Sequence, residues 1–153
     1  PPPPPPNPPP PPPPPPRHGV RRQRQMCIRD RDEGHSEAAM VSAFLLRLNA
    51  LPLELLAEDP DERSLVKRKE KLVAGVAQAL RGAAFQLAGA PLYEERALVE
   101  LVEAVRDVSI AHGKALKKEE RDEVVSALRL SRAVIPGKWK PLVEQTISEL
   151  AGE

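Results

Sequence analysis

The stretch DPDERSLVKRKEKLVAGVAQALRGAAFQLAGAP, Asp59–Pro91, decides the fold class. Its apolar residues Leu65, Leu72, Val76, Leu80, Ala83 and Leu87 recur at spacings of three, four and seven, which draws one stripe along a helix of about six turns. A strand would alternate every second residue, and nothing here does. The start is marked by Asp59 as N-cap, Pro60 at the first helical position and Glu62 three residues after the cap, with the carboxylates of Asp59, Asp61 and Glu62 set against the helix dipole. Gly89-Ala90-Pro91 marks the end, with glycine suited to a left-handed cap and proline suited to opening the next helix. These limits predict a helix of roughly 28 residues and about 40 Å. Ala74, Gly75, Ala77, Ala79, Gly82, Ala83, Ala84 and Ala88 lie along it, small enough for another helix to approach its backbone closely.

Working outward, the segment before it predicts a helix capped by Ser36, with Met40, Val41, Phe44, Leu45 and Leu48 forming the face turned to the core. Leu51-Pro52 predicts a kink, followed by a short piece carrying Leu53, Leu55 and Leu56. On the other side, the short link at Gly89–Pro91 predicts an antiparallel hairpin into a third helix carrying Leu92, Leu98, Leu101, Val102, Val105 and Val108 and ending near His112-Gly113. A fourth helix over about 117–134 places Val124, Val125, Leu128 and Ser131 on one side and is halted by Pro136-Gly137. A fifth opens around Trp139–Pro141 and buries Leu142, Val143, Thr146, Ile147 and Leu150. The fold class that follows is all-α, an antiparallel bundle of about five helices in a single domain spanning 32–153.

Residues 1–31 stand apart. Pro1–Pro16 is proline at every position except Asn7, and RRQRQMCIRDR follows at Arg21–Arg31. With permitted codons, Arg21–Asp30 back-translates to CGT CGG CAG CGT CAG ATG TGT ATA AGA GAC. That string resembles the adaptor and transposon end used in transposase-based sequencing libraries, and a run of C upstream of it translates as polyproline. The expectation is a disordered leader, a translated artefact outside the domain, with the natural chain entering near Arg31 or Asp32 and Met40 either its initiator or an internal residue.

Setting the leader aside changes the composition. It holds six of the 23 basic residues and one of the 22 acidic ones, so 17 face 21 over residues 32–153, a net charge of −4. The basic balance that would point to nucleic acid thus belongs to the leader. So does Cys27, the only cysteine, leaving no disulfide, thiolate or cysteine-based metal site. A cysteine-free chain fits a reducing compartment, and a cytoplasmic protein is expected. No apolar run is expected to approach the roughly 20 residues of a membrane span.

Chemistry is sparse in what remains. His35 lies at the junction with the leader, and His112 lies in a last helical turn, where a cation suits the dipole. Glu94/Glu95, Glu100/Glu103 and Glu119/Glu123 lack the Glu-x-x-His partner of bundle metal sites and alternate with Lys and Arg as a solvated face does. A phosphate-binding Gly-rich loop, a Walker lysine and a nucleophile elbow are all missing. We therefore expect no enzyme, no cofactor and no metal.

Basic residues gather in 114–140, where Arg129, Arg132, Lys138 and Lys140 beside Trp139 form the candidate contact to nucleic acid. Ser109–Leu128, SIAHGKALKKEERDEVVSAL, resembles over about twenty residues the helix, glycine turn and acidic helix start of tellurite-resistance TerB-like domains. His112 stands where those domains place an acidic residue, and an ordinary helix-turn-helix connection explains the same residues. The leading expectation is a non-enzymatic helical module that works by contact with a protein partner or with itself. Its expected working surface is the Ala/Gly-rich second helix, with nucleic-acid binding through the basic region as the alternative.

Overall fold

The computed structural model describes residues 1–13, 18–57 and 63–152, with side chains left aside for 18–33, 57 and 63–65. Five α-helices follow in order: α1 His18–Ala57, α2 Arg63–Gln86, α3 Glu95–His112, α4 Lys118–Ser131 and α5 Lys140–Ala151. Three 3₁₀ turns, Leu87–Leu92, Gly113–Ala115 and Gly137–Trp139, make the later connections. No strand occurs among the described residues. The fold is the all-α bundle that the periodicity predicts. Residues 1–13 are exposed and carry neither helix nor strand.

Pairings between side chains fix the directions. Ser36 meets Glu94, Arg47 meets Glu100 and Glu54 meets His112, so α1 and α3 run parallel. Asn49 lies over Gly75, while Ser42 and Gly82 border the same groove, so α2 runs antiparallel to α1. Arg81 on Glu123 sets α4 beside α2, and Glu95 on Lys138 together with Gly113 against Leu150 sets α5 beside α3. The helices thus close a ring in the spatial order α1, α2, α4, α5, α3, up and down in chain order. Consecutive helices are antiparallel, as the hairpin reading requires.

The ring encloses one core. Val76, Leu80, Ala83 and Leu87 of the quoted stretch are buried in it, with Leu101, Val105, Val124, Leu128 and Val143 from the other helices. Leu72 is half-buried, and Leu65 lies outside the residues whose side chains are described. On α4, Val124, Val125, Leu128 and Ser131 share the buried side, and on α5 Val143, Thr146, Ile147 and Leu150 do. Leu142 is half-buried and Leu92, placed in a 3₁₀ turn, is exposed. Leu116 and Ile135, in the connections either side of α4, are also buried.

Three expectations about helix ends are corrected. α1 does not begin at Ser36; it runs from His18, and Ser36 is buried inside it, its Oγ accepting the backbone N–H of Glu94 at 2.8 Å. Ser36 therefore satisfies an orphan donor at the start of α3, a cap supplied from a neighbouring helix. Pro52 does not divide α1 into two elements, because the carbonyl it leaves without a donor is that of Leu48, on the exposed side where water reaches it. Gly89 is not left-handed; among the described residues the one positive-φ glycine is Gly152, past the end of α5. Its role is proximity: a Cβ there would stand 2.6 Å from the Tyr93 hydroxyl. α2 covers 24 residues, about 36 Å at 1.5 Å per residue. The capping residues Asp59–Glu62 lie outside the described residues.

Candidate functional site

α1 is the element whose surface departs most from its sequence reading. Ser36, Ala39, Ala43, Leu46, Ala50 and Leu53 are its buried face, spaced three and four apart. Met40, Val41, Phe44, Leu45 and Leu48, expected to face the core, are exposed, together with Leu51 and Leu55. Phe44 is 62% exposed and Leu55 60%, whereas Ala39 and Leu46 are both 0% exposed.

The reason is size. α1 lies between α2 and α3, and on the α2 side Gly75, Ala79, Gly82 and Ala83 line the groove between the two helices. Helices approach to about 8 Å only where the side chains between them are small, and the alanine face of α1 meets that condition. A Phe44 and Leu48 face would hold the helices apart. The small residues of α2 thus admit α1 and are covered only in part. Ala77, Ala83 and Ala84 are buried, while Ala74 and Gly82 are exposed.

A helix apolar all round is ordinarily buried on all sides. Here one side is open. Between Met40 and Leu55 the charged residues are Arg47 and Glu54, both exposed and both on the α3 border of the stripe, at 2.7 Å from Glu100 and 3.7 Å from His112. The segment Gly34–Leu56, 23 residues long and holding an 18-residue window of mean hydropathy 1.5, is long and apolar enough to cross a membrane by length and composition. Arg47 and Glu54 interrupt its apolar sequence. The same segment is built into the bundle by its alanine face, by Ser36 and by Arg47.

The residues singled out for nucleic acid sit together at the end of the bundle where α4 turns into α5, all exposed. Two are matched with carboxylates: Arg132 with Glu144, and Lys138 with Glu95. Lys138 also lies over the Trp139 ring, 5.4 Å from its centroid. Among the described residues, Arg129 and Lys140 make no ion pair. Three of the carboxylate pairs weighed as metal ligands contribute to contacts between helices, Glu95 as above, Glu100 to Arg47, and Glu123 to Arg81 at 2.7 Å.

His112 is nearly covered, and its Nε2 has no hydrogen-bond partner, as is true of Ser109 Oγ one turn earlier and of Trp139 Nε1. Among the described residues no group of three or more His, Cys, Asp and Glu is placed to hold a metal ion. The clefts between α2 and α4 are lined by Arg81, Phe85, Glu120, Glu123 and small residues. Compared with protein-family models, curated proteins and solved structures, the chain matches none.

Proposed function

We propose that the chain is a helical interaction module that docks through the outer face of α1. One observation carries this reading: seven large apolar side chains, Met40, Val41, Phe44, Leu45, Leu48, Leu51 and Leu55, stand exposed in one contiguous stripe while the opposite face of the same helix is buried. Single exposed leucines are ordinary, but a continuous patch beyond about 300–600 Å² marks a contact surface. At roughly 100 Å² for each half-exposed side chain, the stripe reaches on the order of 700 Å². The bundle supplies rigidity, since α1 is held on both sides.

A binding assay with an environment-sensitive apolar dye tests this. The intact chain is expected to bind the dye or to hold the stripe covered in an assembly, and replacing Phe44 and Leu48 with Ser is expected to abolish whichever occurs without loss of helicity. A monomer that binds no dye would remove the reading.

A further inference from the structure

We infer that the partner covering α1 is a second copy of this chain, packed with its α1 parallel to the first about a two-fold axis that runs along the helix. The inference rests on the docking reading above and adds the occupant and its orientation.

The spacing is the first argument. Val41, Phe44, Leu48, Leu51 and Leu55 are separated by three, four, three and four residues, the a and d positions of two heptads. All five are exposed. Such a seam packs knobs into holes against a like seam, and it has no charge to be repelled by its own copy.

Area is the second. A stable interface of ordinary size needs about 800 Å² from each partner. The stripe offers most of that before the flanking helices contribute, so a second copy laid along it reaches the size of a specific interface.

Charge sets the direction. α2 borders the stripe with an edge on which Arg68, Lys71, Gly75, Gln78 and Gly82 repeat at three and four, basic at its start and without a carboxylate. Gly75, Gln78 and Gly82 on that edge line the groove shared with Leu45 and Asn49 of α1. On the other border, α3 presents Arg96, Glu100, Glu103 and Asp107 at spacings of four, three and four, acidic over its second half, where Asp107 is paired with its neighbour Arg106 at 2.7 Å. Glu100 fixes this edge beside α1 through Arg47.

An axis along α1 exchanges the two borders. The basic edge of one copy then faces the acidic edge of the other, at the same height. An axis across α1 would instead set each border against its own copy run in reverse, so that the basic start of α2 would face the uncharged end of that edge and the acidic half of α3 would not meet it.

Sedimentation equilibrium of the full chain with Cys27→Ser, over a range of concentrations, tests the occupant. A dimer that becomes monomeric on Phe44→Glu with Leu48→Glu, at unchanged helical circular dichroism, is the expected result. A dimer that ignores both substitutions overturns the inference. A monomer that binds apolar dye overturns the second copy and leaves the docking reading standing, whereas a monomer that binds none removes both. A monomer that floats with neutral phosphatidylcholine vesicles overturns it in favour of a lipid surface.

Orientation is read separately. Leu55→Cys in the same background is expected to cross-link nearly completely under copper phenanthroline, because a parallel seam sets the two Leu55 positions side by side, near the roughly 6 Å between Cα atoms that a disulfide spans. A dimer that does not cross-link there overturns the parallel arrangement.

Discussion

Gly82 and Gly89 are seven residues apart, and alanine has opposite effects at the two. At Gly82, inside α2, a Cβ meets nothing within 4 Å. Alanine there removes backbone freedom from the unfolded chain, and we expect Gly82→Ala to stabilise the bundle by about 0.5–1 kcal/mol in urea unfolding. At Gly89 the same atom falls 2.6 Å from the Tyr93 hydroxyl and 2.9 Å from the ring carbon that bears it. That hydroxyl is pinned, since it donates to the Gln86 carbonyl at 2.6 Å. Gly89→Ala is therefore expected to cost about 1–3 kcal/mol by overpacking, and equal effects at the two glycines would contradict this geometry. Tyr93 also gives the chain a pH response. Burial raises its pKa above the ordinary value of 10.0, so the folded state prefers the neutral phenol. The stabilisation this confers is complete below the unfolded pKa and is lost as pH rises through the folded one. As Tyr93 is the only tyrosine, its phenolate absorbance reports the group directly. The midpoint is expected above 10 in the folded chain and to return to about 10 in urea.

At the scale of the element, α1 shows where a sequence reading stops. α2 to α5 each carry one apolar stripe, so periodicity alone determines which side is buried, and Val76, Leu101, Leu128 and Val143 lie where the spacing puts them. α1 carries two stripes, one of large side chains and one of alanines with Leu46 and Leu53. Hydrophobicity favours the larger side chains, but the partner decides, and the partner is the small-residue face of α2. That match lies between two helices and is invisible in either alone, although Ala39, Ala43 and Ala50 at spacings of four and seven were a signal that could have been weighed. The same logic hid the role of Ser36, whose acceptor serves α3 rather than its own helix. The two faces of α1 are separable by mutation. Leu46→Ala, at a fully buried position, is expected to cost about 2–5 kcal/mol. Leu48→Ala, on the outer face, is expected to cost less than about 1 kcal/mol when unfolding is followed at concentrations low enough to keep the chain monomeric. The reverse order of the two would restore the face that the apolar spacing first suggested.

For the whole molecule, stability comes from a closed ring of helices in which every element touches two neighbours through apolar side chains. The exposed ion pairs between helices, Arg47 with Glu100 and Arg81 with Glu123, add at most about 1 kcal/mol each. They set register more than strength. Among the residues whose side chains are described, the contacts of α1 with the ring begin at Ser36 and Ala39, and Pro1 to residue 13 are exposed. Composition separates residues 1–31 from the rest in the same place, since they hold 15 of the 20 prolines and the lone cysteine. We therefore expect a chain of residues 32–153 to unfold in one cooperative step, with a midpoint within a few degrees of the full chain and with undiminished helical signal per folded residue. Shortening by a further eight residues, past Ser36 and Ala39, removes the acceptor for Glu94 N–H and the first buried alanine of α1. An unmet buried donor costs about 1–3 kcal/mol, which for a domain of this size lowers the thermal midpoint by several degrees. A loss of cooperativity on removing residues 1–31 alone would mean that the ring extends into the proline-rich leader, and the division of the chain at that boundary would fail.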